Sequence, residues 1–488
     1  MTRIPPLATL ILFVAVIALA RQEPTQRKPP AETMRPEITG SHGIVAGGRH
    51  YSIAAGIKML EAGGNAVDAG VAAVFAASVV EISHFGFGGE CPLMIYDAKT
   101  RKVVVVNGQG PAPKAASPAL FQAKRKVDAN GPLAATVPAV MDALAIALAD
   151  YGTMRLEQVM APAIAYADGF PMYAFLRDYF VRERKSTERW EWSKETYYPE
   201  GRIPEIGEVF RQPNLAKTLR EIVAAERAAF AKTHDRKAAI AAGRDAFYKG
   251  PIARRIAEAD RAAGGVLDYQ DLAGFHGRVE EPVRTTFHGF DVFKAGPWDQ
   301  GPVLLQTLNI LAGFDLAAMG HDSASYVHTV HEAIKLAYDD RNAFYGDPDF
   351  VKVPIAGLLS PGYAAARRKL IGPQAFLEHR PGDPFAFDPD VKAPAVLYTP
   401  HSQGEAPRPE PGDTTCVDAA DGDGNLFSAT PSSGWLLGGA FIAGDTGVPL
   451  SNRMQVFDLD PASPNVLAGG KRPRTTLTPT ILLKDGKP

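Results

Sequence analysis

The sequence predicts a mixed α/β fold of the α+β kind, and three observations lead there. Residues 51–80 carry apolar side chains at helical spacing: Ile53, Ile57 and Leu60, then Ala66, Val67, Val71 and Val74. Residues 92–96 and 102–107 are strand-like runs joined by a turn at Asp97–Arg101. Residues 416–430 hold two apolar runs around Asp423-Gly424-Asn425, a hairpin signal.

Taken in order, Gly63-Gly64-Asn65 separates two helices, with Gly63 ending the first and Asn65 capping the second. Gly86–Gly89 form a loop that leads into the first hairpin. Helical patterns resume at 138–149, 154–167 and 213–233, and Asp268, Asp271 and Gly274 punctuate the next link. Strand-like pieces surround Val283–Thr286 and Phe290–Phe293, and long helices follow over 302–313 and 323–342. From Tyr398 to Gly412 core-forming residues vanish and Pro, Gly, Ser and charged residues dominate, which predicts a mobile loop. It ends at Asp413-Thr414, where β-type sequence begins. Thr478–Lys484 reads as a strand and Asp485-Gly486 as a hairpin turn with no return strand before Pro488, so the expectation is a fragment lacking its last strands and helices.

At 488 residues and 46% hydrophobic content, the chain has ample material for one large core. Its net charge of -2, without a long single-sign run, gives no basic face for nucleic acid. Arg3, the apolar run Leu7–Ala20 and the Ala18-Leu19-Ala20 ending read as a signal peptide over 1–20, with a flexible spacer over 21–37. The alternative is an uncleaved anchor. With removal of the signal the body is periplasmic or secreted and holds no membrane segment. Two cysteines, Cys91 and Cys416, exclude a disulfide framework, though one bridge between them stays open.

Thr414 follows the mobile loop directly. A threonine hydroxyl is a weak nucleophile until a base takes its proton, and a threonine at a free N-terminus brings that base itself, an α-amine with pKa of about 7.7–8.0. Such a terminus arises inside a long chain only if the Asp413–Thr414 bond breaks. The Thr414 hydroxyl can do this by attacking the Asp413 carbonyl and shifting the acyl group to oxygen, after which water cleaves the ester. Thr at a strand start is also common for conformational reasons alone.

The chain resembles the gamma-glutamyltranspeptidase family from about residue 40 to its end. The resemblance rests on EAGGNAVDAG (61–70), GFGGECPLMIYDAKTRKV (86–103), LNILAGFDLAAMGHDSASYVH (308–328), AFYGDPDFVKVPIAGLLSPGYAAARR (343–368), GDTTCVDAADGDGN (412–425) and GKRPRTTLTPTILLKDGKP (470–488), in the family's order. It implies a four-layer αββα N-terminal-nucleophile hydrolase fold and autocleavage between Asp413 and Thr414. The large-subunit part is then 38–413 and the small-subunit part 414–488, the two forming one domain. It implies attack on a γ-glutamyl or related acyl amide through a Thr414 ester, passed to water or an acceptor amine, with no cofactor. Ser432 falls where a second hydroxyl bonds the nucleophile, and Thr475 and Thr476 fall on paired hydroxyls that hold a substrate carboxylate. In the family a Gly-Gly pair beyond the paired-hydroxyl segment serves as the oxyanion hole, and this sequence ends before any such pair.

Several positions depart from the family's pattern. Gln109 replaces an arginine that clamps the carboxylate, and a neutral amide cannot form that charge-assisted fork. Val456 replaces an aspartate that receives the substrate ammonium. Gly434 and Arg453 replace an Asn and a Gln of the pocket. The substrate-binding set carried over is therefore Gln109, Arg453, Thr475 and Thr476, and the expected donor is an altered acyl group, with Arg453 or Arg474 as a cation for a carboxylate-bearing chain. The other function class is a catalytically inactive exported binding protein of the same fold. Among competing sites, His328, His331 and Glu332 lack the further ligands a metal needs, so none is assigned. Asp421, Asp423 and Asn425 form a plain turn rather than a calcium loop, and Cys416 has no evident histidine partner.

Overall fold

A computed structural model describes residues 38–123, 126–394, 397–400, 414–434 and 436–488. The expected signal peptide, the spacer, most of the 398–412 loop and Asp413 lie outside the described residues.

Two antiparallel sheets dominate the architecture of the unit formed by Ser41–Pro488. The larger contains β1 (Gly43–Gly47), β2 (Leu93–Asp97), β3 (Lys102–Asn107), β4 (Arg278–Glu280), and, from the other end of the chain, β7 (Val417–Asp421) and β8 (Leu426–Ala429). Their order is β1-β7-β8-β2-β3-β4. The smaller sheet joins β5 (Val283–Phe287), β6 (Phe290–Lys294) and β9 (Ile481–Lys484) in the order β9-β6-β5.

Period-two alternation divides the strands' side chains between two cores. Met94, Tyr96, Val103 and Val105 meet Phe293, Trp298, Ile481 and Leu483 between the sheets. Leu93, Ile95, Val106, Val417, Ala419, Phe427 and Ala429 face the other way, into a helical layer. That layer holds α1 (His50–Glu61), α2 (Ala66–Val80), α3 (Val140–Tyr151), α4 (Leu156–Asp168), α5 (Pro213–Thr233) and α6 (Arg236–Tyr248). Outside the smaller sheet, α7 (Gly301–Leu311) packs on β5, β6 and α8 (Ala324–Phe344). The result is the expected αββα layering.

α2 is the buried axis of the helical layer. Every residue in it is buried, as a helix made mostly of small apolar residues requires. Asn65 caps it as expected, accepting from Val67 and Asp68 N–H while Asp68 returns a bond to the Asn65 N–H. Asp421 accepts the Ala66 N–H at 2.9 Å and also binds Asn425, so the turn residues tie the β7–β8 hairpin to the start of α2.

Three helices, 174–187, 236–248 and 251–262, and strand β1 were not expected from the sequence. The first is polar overall and shows its helix only through one apolar stripe, Leu176, Tyr179 and Phe180. β1 has just Ile44-Val45 between glycines, and pairing with β7 is what makes it a strand. Both cysteines are free: Cys91 is buried and Cys416 exposed. No helix among the described residues is long and apolar enough to cross a membrane.

Candidate active site

Extended beyond its last pair, the β7–β8 register aligns Thr414 with Ser432. It pairs Val417 with Ala429 at the open end, and three residues further along each strand stand Thr414 and Ser432. Alternation agrees with this placement. Val417 and Ala429 point into the helical core, which turns 414 and 432 toward the sheet-to-sheet side. Thr414 is exposed and Ser432 is buried.

Ser432 continues β8 past its end and bridges to Glu90, which continues β2; their backbones exchange bonds of 2.8 and 2.9 Å. The Ser432 hydroxyl accepts from the Gly434 N–H at 3.0 Å and from Arg453 Nη2 at 2.7 Å. A serine hydroxyl has two acceptor lone pairs and one proton. With both lone pairs engaged, the proton is left to be donated. Gly434 sits at φ +88°, a conformation that favours glycine, and a side chain there would run into the Asn452 carboxamide. That explains why an asparagine is absent at this position.

Arg453 was expected at the substrate. It is only 1% exposed, and its Nε donates to Glu90 Oε1 while Nη2 holds Ser432. The guanidinium is committed to a buried ion pair, so its role here is to orient Ser432. Burial pushes the Glu90 carboxyl above its usual range, and Arg453 pulls it back. Glu90 was missed in the sequence. Its signal was available, because a carboxylate inside the buried run GFGGECP requires a cation nearby.

Next to Thr414, Thr415 is buried against Gly48, where a Cβ would strike both the Thr415 hydroxyl and the Glu81 carboxylate. Glu81 is fully buried, accepts from the Ser52 hydroxyl at 2.7 Å, and lies 3.6 Å from His84 Nε2. This packing fixes the segment that carries Thr414. Desolvation first, then the Asp418 carboxylate, raise the Cys416 thiol, which disfavours it as a competing nucleophile.

The other carried-over residues are less uniform. Gln109 has no accessible surface, and its side-chain N–H donates to the Gly110 carbonyl while its Oε1 has no hydrogen-bond partner. Thr475 is also fully buried, its N–H on the Trp298 carbonyl and its hydroxyl accepting from Leu477 N–H. Thr476 is exposed. Val456 is half-buried and follows Arg453 in the same short 3-10 turn. His328 bonds the Gly372 carbonyl and Glu332 pairs with Lys335, which uses both in the packing of α8. Among the described residues no three possible ligands cluster around a metal position.

Comparison with known proteins places this geometry in context. The family model described as gamma-glutamyltranspeptidase matches residues 52–488. The chain is 31% identical to the glutathione hydrolase proenzyme of Bacillus subtilis (strain 168), covering 98% of this chain and 80% of that protein. It is likewise 31% identical to the acylase ACY 1 proenzyme of Pseudomonas sp. (strain SE83), over 92% of this chain and 75% of that one. The crystal structure of cephalosporin acylase from Bacillus halodurans superposes with a TM-score of 0.79 at 30% identity, over 96% of this chain and 79% of the other.

Proposed function

The chain belongs to the gamma-glutamyltranspeptidase family, and we propose that it is a self-cleaving threonine amidohydrolase and acyltransferase whose nucleophile is Thr414. The observation that supports this reading most is the Ser432 hydroxyl, which Gly434 and Arg453 hold with its proton left to donate, at the position the extended β7–β8 register aligns with Thr414.

Maturation breaks the Asp413–Thr414 bond and yields parts of 38–413 and 414–488 within one αββα domain. The freed α-amine of Thr414 then takes the proton of its own hydroxyl. The oxygen attacks the carbonyl carbon of the substrate amide, and Ser432 donates to the oxygen of Thr414 to hold it in line. The tetrahedral intermediate collapses, the protonated amine passes its proton to the departing nitrogen, and an ester remains on Thr414. Water or an acceptor amine adds to that ester and releases the acyl group.

The acyl donor differs from glutathione in this reading. Gln109 is neutral where the family has its carboxylate clamp, and Val456 is apolar where the family receives the ammonium, so both charge contacts of a γ-glutamyl head are altered together. Relatives named as acylases as well as glutathione hydrolases support a broader donor range. The apolar N-terminal run supports export to the periplasm or beyond the cell.

A denaturing gel of the purified protein tests the core of this. The account expects two bands from the natural sequence and one from Thr414→Ala, with amide hydrolysis absent in the variant. Processing of Thr414→Ala at the same bond would overturn it. Turnover of glutathione well above that of glutaryl and simple acyl amides would overturn the altered donor.

A further inference from the structure

A cavity of about 400 Å³ lies beside the segment that carries Thr475 and Thr476, lined by Arg341, Asn342, His379, Tyr398, Asp458 and Arg474 among others. Arg341 is buried and Arg474 half-buried, and the hydrogen-bond partners of both are neutral. Arg474 Nη1 donates to the Arg341 carbonyl at 2.9 Å, and Arg341 Nη1 donates to Asn342 Oδ1 at 3.1 Å. The Nε atoms of both are buried without a hydrogen-bond partner. Among the described residues no carboxylate stands within ion-pair distance of either one. Asp458, on the same cavity, accepts instead from the Ser463 hydroxyl.

Two cations side by side, with buried donors left over, are a cost that a folded chain keeps when something else neutralises it. We infer that this cavity is a binding subsite for a carboxylate, the free carboxylate of an acyl donor, with Arg474 and Arg341 as its cations. The inference rests on the reading that Thr414 accepts an acyl group, because that makes the ligand part of a donor. Charge sets the class. Two guanidiniums and Asp458 leave one positive charge, which one carboxylate balances and a phosphate dianion exceeds. Location agrees, since Arg474 immediately precedes Thr475-Thr476 and Asp458 lies two residues after Val456, the two segments expected at the substrate. Guanidinium forks and the Tyr398 phenol are suited to the planar carboxylate. Burial, then the neighbouring Arg341, draw Arg474 down to about 9, which still leaves it cationic near neutrality.

The site also answers the loss at Gln109. A cation missing at one position is supplied from another, from the stretch before β9 and from α8.

Thermal unfolding of the purified protein with added glutarate, its uncharged diamide glutaramide, and inorganic phosphate tests this without turnover. Glutarate is expected to raise Tm with saturation, and glutaramide to leave it unchanged. Arg474→Met is expected to weaken the apparent glutarate affinity at least tenfold. Should that variant not fold, Asn342→Asp serves, since it sets a carboxylate beside Arg341 and is expected to abolish the glutarate response. An equal response to glutaramide, an equal or greater response to phosphate, or a glutarate response unaltered in the variants overturns the subsite. A protein that stays uncleaved yet binds glutarate through Arg474 would refute the Thr414 mechanism and leave the subsite standing.

Discussion

At Arg453 a buried guanidinium meets the Glu90 carboxylate and the Ser432 hydroxyl; at Arg341 and Arg474 two guanidiniums meet only carbonyls, a carboxamide and an open cavity. The first arrangement is closed. Its charges cancel within the protein, and what it delivers is the orientation of one hydroxyl. The second is open, and its charge balance is completed from outside. The same side chain thus serves two purposes in the account, positioning in the first arrangement and recognition in the second. The discriminating feature is whether a carboxylate is built in.

The largest effect expected from this contrast is on stability. Glu90→Gln strands Arg453 without its counter-charge and should cost about 3–5 kcal/mol, whereas Arg474→Met removes a cation that has no carboxylate partner among the described residues and should stay within about 1 kcal/mol of the parent or exceed it. Urea unfolding of the two variants side by side measures this. Equal losses would erase the distinction between closed and open.

The next effect is on rate. Ser432→Ala deletes the proton donor across from Thr414 and leaves the Glu90–Arg453 pair in place. A hydrogen bond to a group that carries charge during the reaction contributes about 1.5–3 kcal/mol, so kcat should fall about 10-fold to 100-fold with little change in KM. Single-turnover kinetics on an acyl anilide reads the chemical step directly. A rise in KM with kcat unchanged would move Ser432 from the chemistry to substrate binding.

The smallest effect is a pH slope from a third kind of buried charge. Asp260 is a buried carboxyl with no cation, and burial raises it to about 7 despite the Leu267 N–H that it accepts. It copes by keeping its proton, a route a guanidinium does not take. Because its folded value lies above the unfolded one, its stabilising contribution is complete below about pH 4 and is lost as pH rises through 7. Asp260→Asn should flatten that part of the stability profile. A slope equal to the parent's would assign it to other groups.

The sequence makes some of these features legible and hides others for physical reasons. Asn65 and Asp68 announce a helix start because capping is local, and the β7–β8 hairpin is visible because its turn and its alternation lie in one short stretch. Thr414 stands out because a loop meets a strand there. The closed ion pair was not read: Glu90 stands in an apolar run that signals a partner, yet nothing in the sequence says that the partner is Arg453, 363 residues away. Gln109 and Thr475 were expected to face the substrate, and residue type at an aligned position does not reveal that both have lost all accessible surface. The Arg341–Arg474 cavity joins α8 to the stretch before β9, a contact that no periodicity encodes.

The most direct measurement is the mass of the fragments of active protein after brief exposure to a slowly released acyl donor. The account predicts a small chain whose sequence begins with Thr414 and which alone gains the mass of one acyl group, removed by hydroxylamine as an ester should be. An intact chain that turns over amide at full rate, or an acyl adduct on any other residue, would contradict it.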